Sequence, residues 1–229
     1  MDLGVKDSRL GNTLVLTRPV GGGEPKMLAL NVLLLGDRQS GRSSVGNALI
    51  GGEEFQTGLR IFGDAMTTEP RLLSRSFRRY FRRQGAESDL VLRVVDTPPH
   101  KPRPHDVHTL CPEGVHVLVL VVRADLPNAN THLEEHVEAL FGPAWRRHAL
   151  LVLTHADRLK EAGLQTSVYL TQASDWLRAL AEEVGGGVTF LDNSRDWPTV
   201  RGRPLRDRLL LLSARNHHTT LVVRTGNTH

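Results

Sequence analysis

The chain has 229 residues, 39% of them hydrophobic and 24% charged, proportions that fit one α/β domain with tails and exclude a disordered or fibrous chain. Twenty-nine Lys and Arg against 25 Asp and Glu leave a net charge of +4, a mildly basic balance that suits phosphate ligands or an acidic surface. Cys111 is the single cysteine, so there is no internal disulfide and a reducing compartment is expected. No apolar run approaches the ~18–20 residues of a membrane-spanning helix.

Residues 1–25 end in Gly21-Gly22-Gly23-Glu24-Pro25 and read as a flexible leader. They carry no basic-then-apolar signal and no lipidation motif, so a soluble, cytoplasmic protein is expected. The apolar run Met27–Leu35, broken only by Asn31, reads as a buried strand. It leads into Gly36-Asp37-Arg38-Gln39-Ser40-Gly41-Arg42-Ser43-Ser44, the spacing G-x-x-x-x-G-K-[ST] with Arg42 in the lysine position. Gly36 and Gly41 let the backbone turn and approach an anion closely, successive N–H groups point at it, and the next helix adds its positive end. Ser43 falls where a hydroxyl would hold Mg²⁺. Val45, Ala48 and Leu49 continue as a helix that stops at Gly51-Gly52. A ligand-free strand–turn–helix corner, or a degenerate loop, is the competing reading.

Residues 52–70 are mixed in character, and Thr67 or Thr68 there would present a hydroxyl to Mg²⁺ or simply be β-formers. Residues 71–83 interleave six arginines with Phe77, Tyr80 and Phe81. The preferred reading is an outer strand with aromatics inward and arginines in water; the alternative is a binder of nucleic acid or acidic membrane. Asp89–Asp96 is a strand ending on a carboxylate, as expected near a Mg²⁺. The prolines of 97–113 predict a long irregular segment, and its three histidines match no metal-ligand spacing.

Val115–Val122 reads as a central parallel strand. The helix after it opens on the capping box Thr131/Glu134. Its His132-Leu133-Glu134-Glu135-His136 fits a zinc pattern, set aside because the apolar stripe turns both histidines outward. Leu150–Leu153 is a strand ending in Thr154-His155-Ala156-Asp157-Arg158. One long helix is predicted over 166–184, a last strand at Val188–Leu191 before Asp192-Asn193, and a final helix from Pro204 to Ala214. Alternating strands and helices imply an α/β, three-layer fold with a mostly parallel central sheet over residues 26–215, and the phosphate-loop spacing makes it a P-loop NTPase arrangement. Residues 216–229 form a tail.

The segment Gly41-Arg42-Ser43-Ser44-Val45-Gly46-Asn47-Ala48-Leu49-Ile50-Gly51, with Phe55, Met66-Thr67, Val95-Asp96-Thr97-Pro98 and Leu153-Thr154-His155, resembles the immunity-associated GTPases, the GIMAP family. The likeness spans about residues 28–215, as in a member with little beyond its G domain. It implies binding of guanine nucleotide (GTP or GDP) with Mg²⁺ and association of like domains through the G domain. Phosphates would lie on Gly36, Asp37, Arg38, Gln39, Ser40, Gly41, Arg42, Ser43 and Ser44. Ser43 and Thr67 would ligate Mg²⁺ with Asp96 in support, and His155 and Asn193 would flank the base.

Three departures qualify this. Arg42 puts a planar fork where the family has a compact ammonium. Pro99 replaces a glycine whose N–H would meet the γ-phosphate, and proline has no N–H. At the guanine-reading aspartate, one alignment puts Arg158, which has no acceptor, and the other keeps Asp157 but loses the lysine before it. The reading is therefore a guanine-nucleotide-binding protein with weak or absent hydrolysis. The alternatives are a pseudo-GTPase interaction module without nucleotide, and a basic-patch binder through residues 71–83.

Overall fold

The computed structural model describes residues 26–55, 69–83, 85–98, 102–126, 131–192 and 198–224. A six-stranded sheet in the order β2-β3-β1-β4-β5-β6 forms its centre. Its strands are β1 Lys26–Gly36, β2 Arg71–Arg83, β3 Ala86–Asp96, β4 Val117–Arg123, β5 Ala149–Thr154 and β6 Val188–Phe190. β1 pairs in parallel with β3 and β4, and β4–β5 and β5–β6 are parallel too. Among the described strands only β2 runs antiparallel, as the outer arm of a hairpin with β3. Strands covered on both faces need apolar side chains on both, and Leu30–Leu35 of β1 and all of β5 are buried.

One face packs against α1 (Arg42–Ile50) and α7 (Pro198–Arg215), through Val45, Leu49, Leu205, Leu209 and Leu212. The other carries α2 (Pro104–Leu110), α3 (Thr131–Phe141), α5 (Thr166–Gln172) and α6 (Asp175–Glu183), through Val107, Val137, Tyr169, Leu177 and Leu180 around the buried Trp145. The short α4 (Ala156–Glu161) follows β5 directly.

Several expectations are corrected. The helix over 166–184 is two helices: Ala173 takes ψ 164° and Ser174 starts α6, its Oγ accepting the Leu177 N–H at 3.4 Å. The final helix begins at Pro198, and Pro204 lies inside it. The segment 97–113 is not irregular throughout, because Pro104 opens α2, where its missing N–H costs nothing. Tail residues up to Arg224 pack: Val115 and Leu221 exchange backbone hydrogen bonds of 2.9 and 2.8 Å, and Leu221 and Val223 are buried.

The outer-strand expectation for 71–83 is met. Phe77, Tyr80 and Phe81 turn toward α7, where the Arg206 guanidinium lies 4.3 Å over the Phe77 ring and Tyr80 Oη donates to Asp207 at 2.6 Å. Arg71, Arg75, Arg78, Arg79 and Arg82 are exposed.

Candidate nucleotide site

The site stands on the register of β1. Leu34 pairs with Asp96 of β3, and Gly36 pairs with Val121 of β4, so the loop after Gly36 and the β3 carboxylate emerge at one end of the sheet. Gly36 is required by space: a Cβ there would stand 2.3 Å from the Val121 carbonyl oxygen. Asp37, Arg38 and Gln39 are exposed, and the Ser40 N–H closes the turn on the Asp37 carbonyl at 3.2 Å. Gly41 caps α1 at φ 90°, a left-handed backbone that favours glycine. The first intrahelical bond runs from the Val45 N–H to the Gly41 carbonyl. The amides of Arg42, Ser43 and Ser44 therefore have no acceptor within their helix, and no acidic side chain stands in that first turn.

Arg42 is buried. Its Nη1 donates to the Gly36 carbonyl at 2.9 Å and its Nε lies 3.8 Å from Asp96 Oδ1. Burial pulls its pKa down, and the fields of Asp96 and Asp37 oppose that. Partial desolvation of the largely exposed Asp37 carboxyl raises its pKa, with Arg42 opposing. Ser43 Oγ donates to Asp96 Oδ2 at 2.7 Å. The structure thus brings Gly36–Ser44 and Asp96 together.

Sequence reasoning missed two threonines that hold this arrangement. Thr97 Oγ1 donates to the Leu34 carbonyl at 2.8 Å, and Thr154 Oγ1 donates to the Ser40 carbonyl at 2.6 Å. Each directly follows or ends a buried strand at the loop's end of the sheet, which is the signal that would have found them. The Gly46-Asn47 pair also acquires a cause. Asn47 clamps the backbone of Phe55 with bonds of 2.8 and 2.9 Å, and a Cβ at Gly46 would meet the Phe55 ring at 2.7 Å.

At the β5–α4 turn, His155 has φ 57°, with Nδ1 3.0 Å from Thr154 Oγ1. Burial, then the Arg123 field, lowers its pKa, while Asp125 and Asp157 oppose. Arg123 forks onto Asp125 with bonds of 2.9 and 2.6 Å, a pair that sequence reasoning did not connect with His155. Arg158 is exposed and pairs with Glu161 at 3.2 Å. Asp157 is half-buried and acts on His155 more strongly than Arg158 does. Thr67, Pro99 and Asn193 lie outside the described residues, as does the side chain of Thr131.

Mg²⁺ takes oxygen ligands. A serine hydroxyl 2.7 Å from a buried carboxylate offers that donor set, so the residues present fit the ion.

Sheet order, phosphate-loop geometry and the carboxylate at the end of β3 together define a P-loop GTPase fold. The AIG1 family model matches residues 30–201, and the chain belongs to the AIG1 family. Among solved structures it is similar to Toc33 from Arabidopsis thaliana. The complex with GDP and Mg²⁺ is 20% identical at a TM-score of 0.51, over 86% of this chain and 88% of that one. The complex with Mg²⁺ and GMPPNP is 18% identical at 0.50, over 87% and 89%. A dimerization-deficient mutant is 17% identical at 0.51, over 86% and 88%. At such identities the likeness bears on the fold alone.

Proposed function

We propose that this chain is a GIMAP-type, cytoplasmic guanine-nucleotide-binding protein that takes GTP or GDP with Mg²⁺ and hydrolyses GTP slowly or not at all. The observation that carries the reading is the loop itself. Gly36 and Gly41 meet the steric demands of a phosphate loop, and the first amides of α1 have no acceptor within the helix and no acidic neighbour in that turn. On this reading the backbone from Asp37 to Ser44 holds phosphate, with Arg38, Gln39 and Ser40 framing the loop. Arg42 adds charge while remaining on the Gly36 carbonyl. Ser43 and Thr67 would ligate the ion, with Asp96 accepting from Ser43. The ion supplies charge neutralisation at the phosphates. His155 and Asn193 flank the base, and association of like domains through the G domain is part of the same proposal.

Weak turnover follows from the side chains. Pro99 offers no N–H to a γ-phosphate, and loss of one preorganised donor commonly costs ~10²–10³ in rate. A second reading, a pseudo-GTPase scaffold, is favoured by one observation: the Arg42 guanidinium is already engaged by Gly36 and Asp96. Titration of the purified chain with GDP, GTP and ATP, with and without Mg²⁺, separates the two. Guanine-selective binding at micromolar or lower concentration is expected; no binding at millimolar nucleotide would leave the scaffold reading.

A further inference from the structure

We propose that Thr154 is a positioning residue that fixes the His155 ring in its Nδ1–H form and ties that ring to the phosphate loop. The available hydrogens decide which group donates. A threonine hydroxyl has one hydrogen to give and two lone pairs to accept with. Thr154 Oγ1 lies 2.6 Å from the Ser40 carbonyl oxygen and 3.4 Å from that of Val122. Both are acceptors only, so the hydroxyl hydrogen goes to Ser40. Nδ1 of His155 lies 3.0 Å from the same oxygen. With the hydrogen spent, the oxygen accepts there, and Nδ1 carries the proton.

In a neutral ring with Nδ1 protonated, Nε2 is the acceptor. Burial and the neighbouring Arg123 favour that neutral ring. His155, with its left-handed backbone at φ 57°, is the N-cap of α4, so its ring belongs to the β5–α4 turn. Thr154 also closes the space over Gly41, where a Cβ would stand 3.0 Å from its methyl carbon. One side chain thus supports the loop turn, bonds the loop backbone and sets which nitrogen of the histidine can accept.

The consequence rests on the guanine-nucleotide reading above. A purine that presents N–H donors, as guanine does with N1–H and its amine, would then find in His155 an imidazole acceptor, which the exposed Arg158 cannot supply. Phosphate seated on the loop is also coupled to the base contact through a single hydroxyl. An ordinary packing role for Thr154 would affect stability without setting the ring's protonated nitrogen.

The test is long-range ¹H–¹⁵N correlation on the ¹⁵N-histidine-labelled full chain at pH 7.5, with the His155 signal assigned by its loss in His155→Gln. Protonated Nδ1 with unprotonated Nε2 is expected. Thr154→Val should move the ring toward Nε2–H and weaken binding of GDP with Mg²⁺ about tenfold, the scale of one hydrogen bond. Thr154→Ser, which keeps the hydroxyl, should preserve both properties and guards against a variant that fails to fold. An Nε2–H ring in the unmodified protein, a ring unchanged in Thr154→Val, or equal GDP affinity in the two proteins would overturn the proposal. If the unmodified chain binds no GDP, the functional reading fails, and the ring signals alone still decide the relay.

Discussion

The phosphate side and the base side of the candidate site are built on different principles. On the phosphate side the work is done by backbone shape and by buried, mutually bonded side chains: Gly36 against Val121, Arg42 on Gly36 and Asp96, Ser43 on Asp96, Thr97 on Leu34. On the base side the charged side chains are partly or fully exposed, with Arg158 spent on Glu161 and Arg123 on Asp125. The difference teaches where departures from the family pattern are costly. A change on the first side disturbs fold and ligand together, whereas the second side tolerates an arginine at a helix surface.

The largest expected effect comes from breaking the buried pair. Asp96→Ala takes the buried carboxylate from Arg42, leaving it only the Gly36 carbonyl and the exposed Asp37, and removes the acceptor of Ser43; denaturant unfolding should show a loss of about 3–5 kcal/mol. The opposite end of the sheet supplies a control. There burial, with the nearby His218 and His148 charges and against Glu113, pushes His116 down to about 4, and its Nδ1 accepts the Asn31 N–H at 3.0 Å. The unfolded imidazole takes its proton near 6.5 and the folded one only near 4. This contribution is therefore complete above pH 6.5 and is lost as pH falls toward 4; discounted for solvent screening of the half-buried ring, it is on the order of 2 kcal/mol. His116→Gln should flatten that part of a stability–pH curve while leaving nucleotide affinity unchanged.

Asn47→Ala removes both bonds to Phe55, and a loss of about 2 kcal/mol is expected in the same unfolding measurement. Arg42→Lys sharpens the comparison from the ligand side. A compact ammonium fits a phosphate loop better than a tethered fork, and GTP should bind about tenfold tighter by titration. Arg158→Ala should be nearly silent, within about 0.5 kcal/mol in stability, because its partner Glu161 is also exposed. A large loss of nucleotide affinity in Arg158→Ala would contradict the division between the two sides.

The sequence made the phosphate side legible because its demands fall on residue types at fixed spacing: glycines where the backbone turns, a hydroxyl after the basic residue, a carboxylate ending an apolar strand. What holds those residues was not legible. The Ser40 carbonyl bonds a threonine 114 positions away, and Asp96 reaches Ser43 from 53 positions away, separations that only sheet register brings together. The break between α5 and α6 was hidden because the apolar stripe through Leu170, Ala173 and Leu177 keeps helical phase across it. Ser174, a good N-cap residue, was the overlooked signal. Proline misled twice, once as a loop marker at Pro104 and once as a helix start at Pro204. The same residue opens a helix at its first position and is tolerated inside one when packing holds it.

The most direct test of the central claim is amide hydrogen exchange of the full chain with and without saturating GDP and Mg²⁺. Slowed exchange confined to the amides of residues 37–44 and the β5–α4 turn is the predicted result. Unchanged exchange at every amide of the Gly36–Ser44 loop would contradict a phosphate site held by backbone.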